Sequence, residues 1–307
     1  MTAQRHMLED GRLHLQHGPI DLVIGCEGDA AAVADAHESA WQLFPLLLPE
    51  LVAELPLLRQ RVGGDATLAD NPLCGTVARN MWQACWPHRA GFITPMAAVA
   101  GAVAQAAAAC YRHEGITRAW VNNGGDISLV LVPGASVRIG LVADISAVDL
   151  GANVALDGRF EITNAMPVRG IATSGWRGRS FSLGIADSVT VLAATAAVAD
   201  ACATRIANAV DVRDARIQRR PACDLKDDTD LGALPVTVDV PRLGPELIDV
   251  ALAAGLRVAE TLRADGLIWG ALMTCQRQSV ATGFDAALQR TGPFLASPFF
   301  TQTDIFP

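Results

Sequence analysis

At 307 residues the chain is long enough to bury one large core, and length alone permits one domain or two. Apolar residues make up 51% and charged residues 18%, which excludes a disordered protein. The net charge is −8, and the densest basic group, Arg213, Arg216, Arg219 and Arg220, is diluted by Asp214, so a surface that tracks nucleic-acid phosphates is excluded too.

Met1–Asp10 has no apolar run of signal-peptide type, so the sequence reads as cytoplasmic. His14 and His17, three apart with no carboxylate beside them in sequence, read as solvated surface residues. Residues 20–25 predict a strand. From Ala30 to about Gln60 the pattern is helical, with Pro45, Pro49 and Pro56 each expected to bend or end the helix. The same prolines, with Glu50 and Glu54, exclude a membrane span over 43–58. A helix is expected over 72–86. Thr94-Pro95 then predicts a helix start, Thr as N-cap and Pro at the first helical position. That helix runs through an Ala-rich stretch to Tyr111 and stops near Gly115; its small residues predict close backbone packing against a sheet.

Beyond Gly115, runs at 119–122, 127–132, 136–143, 159–163 and 188–193 predict strands. A helix follows over 196–210, then a polar excursion or lid at about 211–233, a helix over 245–264, a strand over 266–275 and an irregular tail from Pro293. Most of the strand runs are too closely spaced for crossover helices, which predicts a largely antiparallel sheet with helices packed on it, an α+β fold. No Ser/Gly-rich linker divides the chain, so residues 1–307 read as one domain, with internal halves meeting somewhere in 115–150. The seven cysteines are odd in number and lack any C-x-x-C pair, which predicts reduced and mostly buried thiols.

Three motifs carry chemistry. Asn123-Gly124-Gly125-Asp126 between apolar runs is a hairpin turn by its local chemistry, or a close backbone approach to a phosphate or ring. Thr173-Ser174-Gly175 closes an apolar run beside Arg177 and Arg179, and serves equally as a phosphate contact or a polar turn. Asp200 and Thr204 stand four apart on a helix, so a carboxylate and a hydroxyl share one face, a pair that suits Mg²⁺ or Ca²⁺; the alternative is an Asp that merely complements the helix dipole. All six histidines lie in the first 113 residues. A general base near these motifs is therefore a carboxylate, a metal-bound species or a group folded in from the N-terminal third.

The order Asn123-Gly124-Gly125-Asp126, Ala172-Thr173-Ser174-Gly175, Asp187-Ser188-Val189-Thr190-Val191 and Ala199-Asp200-Ala201-Cys202-Ala203-Thr204 resembles the ApbE-like proteins, the FAD:protein FMN transferases, over about 90–210. With Ile93-Thr94-Pro95-Met96-Ala97 and Ala207-Asn208-Ala209-Val210 the chain is closer still to an uncharacterised family adjacent to them. The resemblance implies two T-fold-like halves and a cleft for FAD or FMN or another phosphorylated cofactor. It implies Mg²⁺ at Asp200 and Thr204, the motifs Asn123–Asp126 and Thr173–Gly175 around the cofactor, and an acceptor protein as partner. It departs at Arg179–Asp187, where the transferases carry a histidine and an Asp-Pro-x-Thr-Gly turn. Asp187 is the nearest candidate base, so the resemblance implies a retained cleft with weak or lost FMN transfer. The rival readings are another enzyme on the same scaffold, acting on a small ring-containing metabolite, and a non-catalytic binding or assembly subunit.

Overall fold

The computed structural model describes residues 2–141, 158–284 and 288–290. The elements of the first half are β1 (Gln4–Met7), β2 (Leu13–His17), β3 (Ile20–Gly28), α1 (Ala30–Ala53), α2 (Leu55–Leu58), α3 (Thr76–Cys85), α4 (Val99–Ala109), β4 (Ile116–Asn123), β5 (Asp126–Leu131) and β6 (Ser136–Leu141). After them come β7 (Gly158–Thr163), β8 (Gly170–Ser174), β9 (Ser188–Ala193), α5 (Ala196–Ala209), β10 (Gln218–Pro221), β11 (Pro235–Asp239), α6 (Pro245–Ala264), β12 (Gly270–Cys275), β13 (Gln278–Thr282) and β14 (Leu288–Arg290). Helix and antiparallel sheet are mixed, as an α+β fold requires. The chain forms two compact units: Met1–Ser136 with Thr163–Ala172 and Leu192–Ala201, and Val137–Ile162 with Thr173–Val191 and Cys202–Pro307.

In the first unit β1 to β5 pair in sequence order, each antiparallel to the next, and β5 pairs antiparallel with the start of β8 through Ile127↔Ile171 and Ser128↔Gly170. Strand β2 shows why this region folds as sheet: Leu13, Leu15 and His17 are buried on one face while Gln16 is exposed on the other. That alternation corrects the expectation of solvated histidines. His17 is buried beside the Phe44 ring, and His14 Nε2 lies 2.9 Å from Asp21 Oδ1 across the β2–β3 pair.

The expected proline breaks are also corrected in part. Helix α1 runs unbroken through Pro45 and Pro49, although an interior proline costs roughly 3 kcal/mol. Ala36, Ala40, Phe44, Leu47 and Leu51 are buried along it at helical spacing, and neither proline belongs to that stripe. Burying a Leu or Phe side chain contributes about 1.5–3 kcal/mol, enough together to offset the lost backbone bonds. Pro56 does mark a boundary, since α1 ends at Ala53 and Pro56 sits in the first turn of α2.

The Thr94-Pro95 signal opens a 3-10 turn over Pro95–Ala98 that leads into α4, and Thr94 supplies no side-chain cap. The helix expected over 72–86 starts later, at Thr76. Helix α4 buries Ala102, Val103, Ala104, Ala107 and Ala108 and packs on β4 and β5. A Cβ on its Gly101 would stand 2.2 Å from the Ala196 carbonyl oxygen, and one on Gly170 would stand 2.1 Å from the Thr195 carbonyl carbon. The start of α5 is therefore held between two glycines, one on a helix and one on a strand. Thr195 Oγ1 accepts from Val198 N at 3.3 Å, as an N-cap does.

In the second unit, β9, β12 and β13 are consecutive neighbours, and every residue of β12 is buried. Helix α6 packs on β12 and β13. The polar 211–233 stretch contributes β10, which pairs with β11, and a 3-10 turn over Ala222–Asp224 that buries Ala222. Arg216 holds Asp214 down to about 2. The strand expected from Gly266 begins at Gly270, and β7 pairs with β14. The end of the predicted 136–143 strand and the tail from Pro293 lie outside the described residues. None of the seven cysteines, all of them among the described residues, is in a disulfide: Cys85, Cys202 and Cys275 are buried, Cys26 and Cys110 half-buried, Cys74 and Cys223 exposed. Among the described residues no helix is long and apolar enough to cross a membrane.

The glycine contact is directly testable. Gly101→Ala should destabilise the protein by roughly 1–3 kcal/mol in urea unfolding, because the added methyl meets backbone that cannot move aside. Gly64→Ala, whose Cβ would meet its nearest neighbour at 3.8 Å, should stay within about 0.5 kcal/mol of the parent.

Candidate functional site

The β4–β5 hairpin closes on Gly124 and Gly125, with φ of +63° and +113°, and places Asn123 opposite Asp126. A methyl group added to Gly125 would meet nothing within 4 Å, so glycine here answers a backbone angle rather than a crowded neighbour. Gly125 N donates to Asn122 Oδ1 at 2.8 Å, which locks the turn. Asn123 and Asp126 are both buried. Asn123 Nδ2 donates to the Ala100 carbonyl at 3.1 Å, tying the hairpin end to the first turn of α4.

Asp200 projects from α5 onto that same helix start. Its Oδ2 accepts from Gly101 N at 2.9 Å, and the Ala100 amide also favours its charged form. The carboxylate thus caps α4 from a neighbouring helix, a use of the helix dipole that reading within α5 alone does not suggest. Even so, its pKa is raised well above the ordinary value, first by desolvation and then by the Asp126 carboxyl beside it. Two carboxyl groups share this confined place, and both cannot ionise without a compensating proton or cation. Thr204 follows one turn later on α5 and is half-buried.

The remaining motifs belong to the second unit. Thr173 Oγ1 and Thr190 Oγ1 are hydrogen-bonded at 3.0 Å across β8 and β9, and Ser174 is half-buried at the strand end. A Cβ on Gly175 would collide with the Asp187 carbonyl oxygen at 2.3 Å, so the loop after Ser174 presses directly on the segment before β9. Asp187 is engaged on every side. Oδ1 accepts from Trp176 Nε1 at 3.3 Å and from Arg177 Nε at 3.0 Å, while Oδ2 accepts from Gln276 N at 2.5 Å. Its pKa is raised all the same, because desolvation outweighs these donors. Asn208, in the last turn of α5, accepts from Leu183 N at 2.9 Å and from Ser182 Oγ at 3.3 Å.

Asn123, Gly124, Gly125, Asp126 and Asp200 accordingly fall in the first unit, and Thr173, Ser174, Gly175, Asp187 and Thr204 in the second. Gly101 and Gln276, which hold Asp200 and Asp187, were not singled out by sequence reasoning. An isolated glycine inside an Ala-rich helix was the available signal for the first; Gln276 carried none.

The donor set suits a hard dication. Asp126 and Asp200 supply carboxylate oxygens whose mutual repulsion a cation would relieve. Among the described residues no group of three or more His, Cys, Asp or Glu is placed to hold a metal.

The sequence itself matches a recognised family. The family described as "AbpE bacteria" matches over residues 5–282, and the chain belongs to it. It is also similar to UPF0280 proteins of methanogens. The one from Methanospirillum hungatei is 38% identical over 141 residues, 45% of this chain and 52% of that protein. The one from Methanoculleus marisnigri is 38% identical over 181 residues, 58% and 67% of the two chains. The one from Methanothermobacter thermautotrophicus is 40% identical over 123 residues, 40% and 44%. Across the first of these relatives the matched stretch spans about half of their length.

The carboxyl pair has a pH signature. A carboxyl whose folded pKa lies above its unfolded value, roughly 4, holds more protons folded than unfolded between those two values. The stability contributed at Asp200 is therefore greatest at low pH and is lost as pH rises through that window. In chelator-treated protein, Asp200→Asn should melt higher than the parent at pH 8, with the gap closing as pH falls towards 4 in thermal scans. The amide retains an oxygen for Gly101 N and removes the charge.

Proposed function

We propose that the protein binds a flavin nucleotide, FAD or FMN, or a closely similar phosphorylated cofactor, with Mg²⁺ held by Asp200 and Asp126. The observation that carries this reading is the Asp126–Asp200 pair. Apolar packing would not select two confined carboxyl groups, one of them already capping α4, because burying a charge beside a like charge is costly. A dication converts that cost into binding strength. When bound, it would neutralise charge on ligand phosphates.

The resemblance to the ApbE-like transferases supports the ligand class, and with it two T-fold-like halves. Thr173 and Ser174, at the end of β8, present hydroxyls suited to phosphate or ring contacts. The hairpin at Gly124-Gly125 leaves its backbone uncovered by side chains. In transfer to a protein, an acceptor Thr or Ser hydroxyl would form a new phosphate ester to FMN as the pyrophosphate link to AMP breaks and AMP leaves with the bridging oxygen. That hydroxyl needs a base. Asp187, whose oxygens already accept three donors, is poorly placed to take a proton, and a positioned base is worth about 10²–10⁴-fold. The protein is accordingly read as a flavin-nucleotide binder with weak or absent transfer activity, acting within the cell.

Titrating FAD or FMN fluorescence against the protein tests this. With Mg²⁺ present, binding is expected, weakened about tenfold or more by chelator, and Asp200→Ala should remove the metal dependence. Incubation with FAD, Mg²⁺ and an acceptor domain should yield little or no covalent FMN by in-gel fluorescence. Absence of flavin-nucleotide binding with and without Mg²⁺ overturns the reading; rapid labelling lost in Asp200→Ala would instead establish a transferase.

A further inference from the structure

Strand β1 stands at one end of the strand order, beside β2, and exposes all four of its residues. Its register sets Arg5 opposite Leu15 and His6 opposite His14. Successive side chains of a strand point to opposite faces, and directly opposed residues of an antiparallel pair point to the same one. Arg5 fixes which face is which. Its guanidinium reaches Glu38 Oε2 at 2.7 Å and stands 5.1 Å from the centroid of the Trp41 ring, both on α1, and its partner Leu15 is fully buried. His6 and His14 therefore share the face turned away from α1, where directly opposed Cβ atoms stand about 4.5–5.5 Å apart. His6 is exposed and His14 partly so.

His14 is already oriented on that face. Its Nε2 donates to Asp21 Oδ1 at 2.9 Å, from the neighbouring strand β3. An ionised carboxylate only accepts, so Nε2 carries the proton, and Nδ1 of the neutral ring keeps its lone pair. Metal-bound histidines are held in this way: one nitrogen ligates, while the other donates to a carboxylate that fixes the tautomer and makes the ligand more basic. His6 brings a second imidazole to the same place. Zinc–nitrogen bonds are about 2.0–2.1 Å long, so two imidazoles rooted on adjacent Cβ atoms can converge on one ion. Imidazole nitrogens select zinc, nickel or copper, whereas Mg²⁺ prefers oxygen. The arrangement also meets a need of the fold. The Arg5–Glu38 ion pair ties one face of β1 to α1, and exposed pairs of this kind contribute little. An ion between His6 and His14 ties the other face to β2 and fixes the register of an edge strand.

We propose that His6 and His14 form a two-imidazole site for a divalent transition metal of the zinc type, with Asp21 as the positioning residue that orients His14 and with water completing the coordination. The ion clips β1 to β2. This inference goes beyond the flavin-nucleotide reading and does not rest on it, because nitrogen ligands on a strand pair are chemically distinct from the Asp126–Asp200 carboxyls.

Zinc alone is the probe, added to full-length protein without flavin. The exposed thiols of Cys74 and Cys223 are alkylated first and Mg²⁺ is kept in excess, so that neither the thiols nor the Asp126–Asp200 pair takes up the ion. Calorimetric titration should show zinc binding by the parent. Carboxylate partners of metal-bound histidines are worth about 10–100-fold in affinity, so Asp21→Asn should weaken zinc by that much, and His6→Gln and His14→Gln by at least about tenfold each. Both histidines lie at the surface, so the metal-free melting temperatures of their variants should match the parent's. Asp21→Asn should have no further effect on zinc in a His14→Gln background, a dependence that a general loss of structure would not produce. Zinc should also slow amide exchange in β1 of the parent and leave it unchanged in His6→Gln. A parent that takes up no zinc overturns the inference, as does unchanged affinity in either histidine variant. An Asp21→Asn loss that persists in the His14→Gln background overturns the positioning role. None of these measurements involves flavin, so their failure and the failure of the flavin-nucleotide reading are separate results.

Discussion

The first unit depends on a backbone approach that only glycine permits. Gly101 on α4 and Gly170 on β8 meet the Thr195–Ala196 peptide at distances that a methyl group would violate. Because α4 can come this close, its first-turn amide at Gly101 reaches Asp200, and its Ala100 carbonyl is available to Asn123. The Ala-rich faces of α4 and α5 follow from the same constraint: larger side chains would separate the helices and break the cap. Packing and chemistry are one problem here, since the contact that sets the helix spacing also places the carboxylate.

The two aspartates singled out on chemical grounds show how environment separates identical side chains. Asp200 meets two backbone amides and another carboxyl group, the Asp126 side chain, which disfavours its charged form. Asp187 meets an indole, a guanidinium and a backbone amide, so its charge is already matched by donors. Desolvation raises both. A raised pKa by itself therefore does not distinguish a ligand-binding carboxyl from a structural anchor; the partners do.

Much of the fold was legible in local chemistry. The Pro245 start and the length of α6, the β9 run of branched residues and the Gly-Gly hairpin all follow from short-range preferences that the packed state leaves unopposed. The misses share a cause. Helix α1 passes through Pro45 and Pro49 because its buried stripe outweighs a local penalty, and His17 enters the core because its neighbours in β2 carry it inward. At the β12–β13 tip Gln276 and Arg277 take positive φ without a turn-forming residue, and Gln276 is bonded there to the distant Asp187, Pro241 and Leu243.

From sequence alone, the chain's class was determined: an α+β protein with a carboxylate and a hydroxyl one turn apart on α5, a Gly-Gly hairpin and a Thr-Ser-Gly strand end. Those features arise from periodicity, turn chemistry and spacing, which act over a few residues. Only the tertiary structure decided which groups answer one another. Asp200 and Gly101 are 99 residues apart, and Asp187 and Gln276 are 89 apart. No local preference encodes such pairs. They form because burying the α4, α5 and β12 surfaces forces the backbone into contacts whose polar groups must then be satisfied, and the carboxylates are what satisfy them.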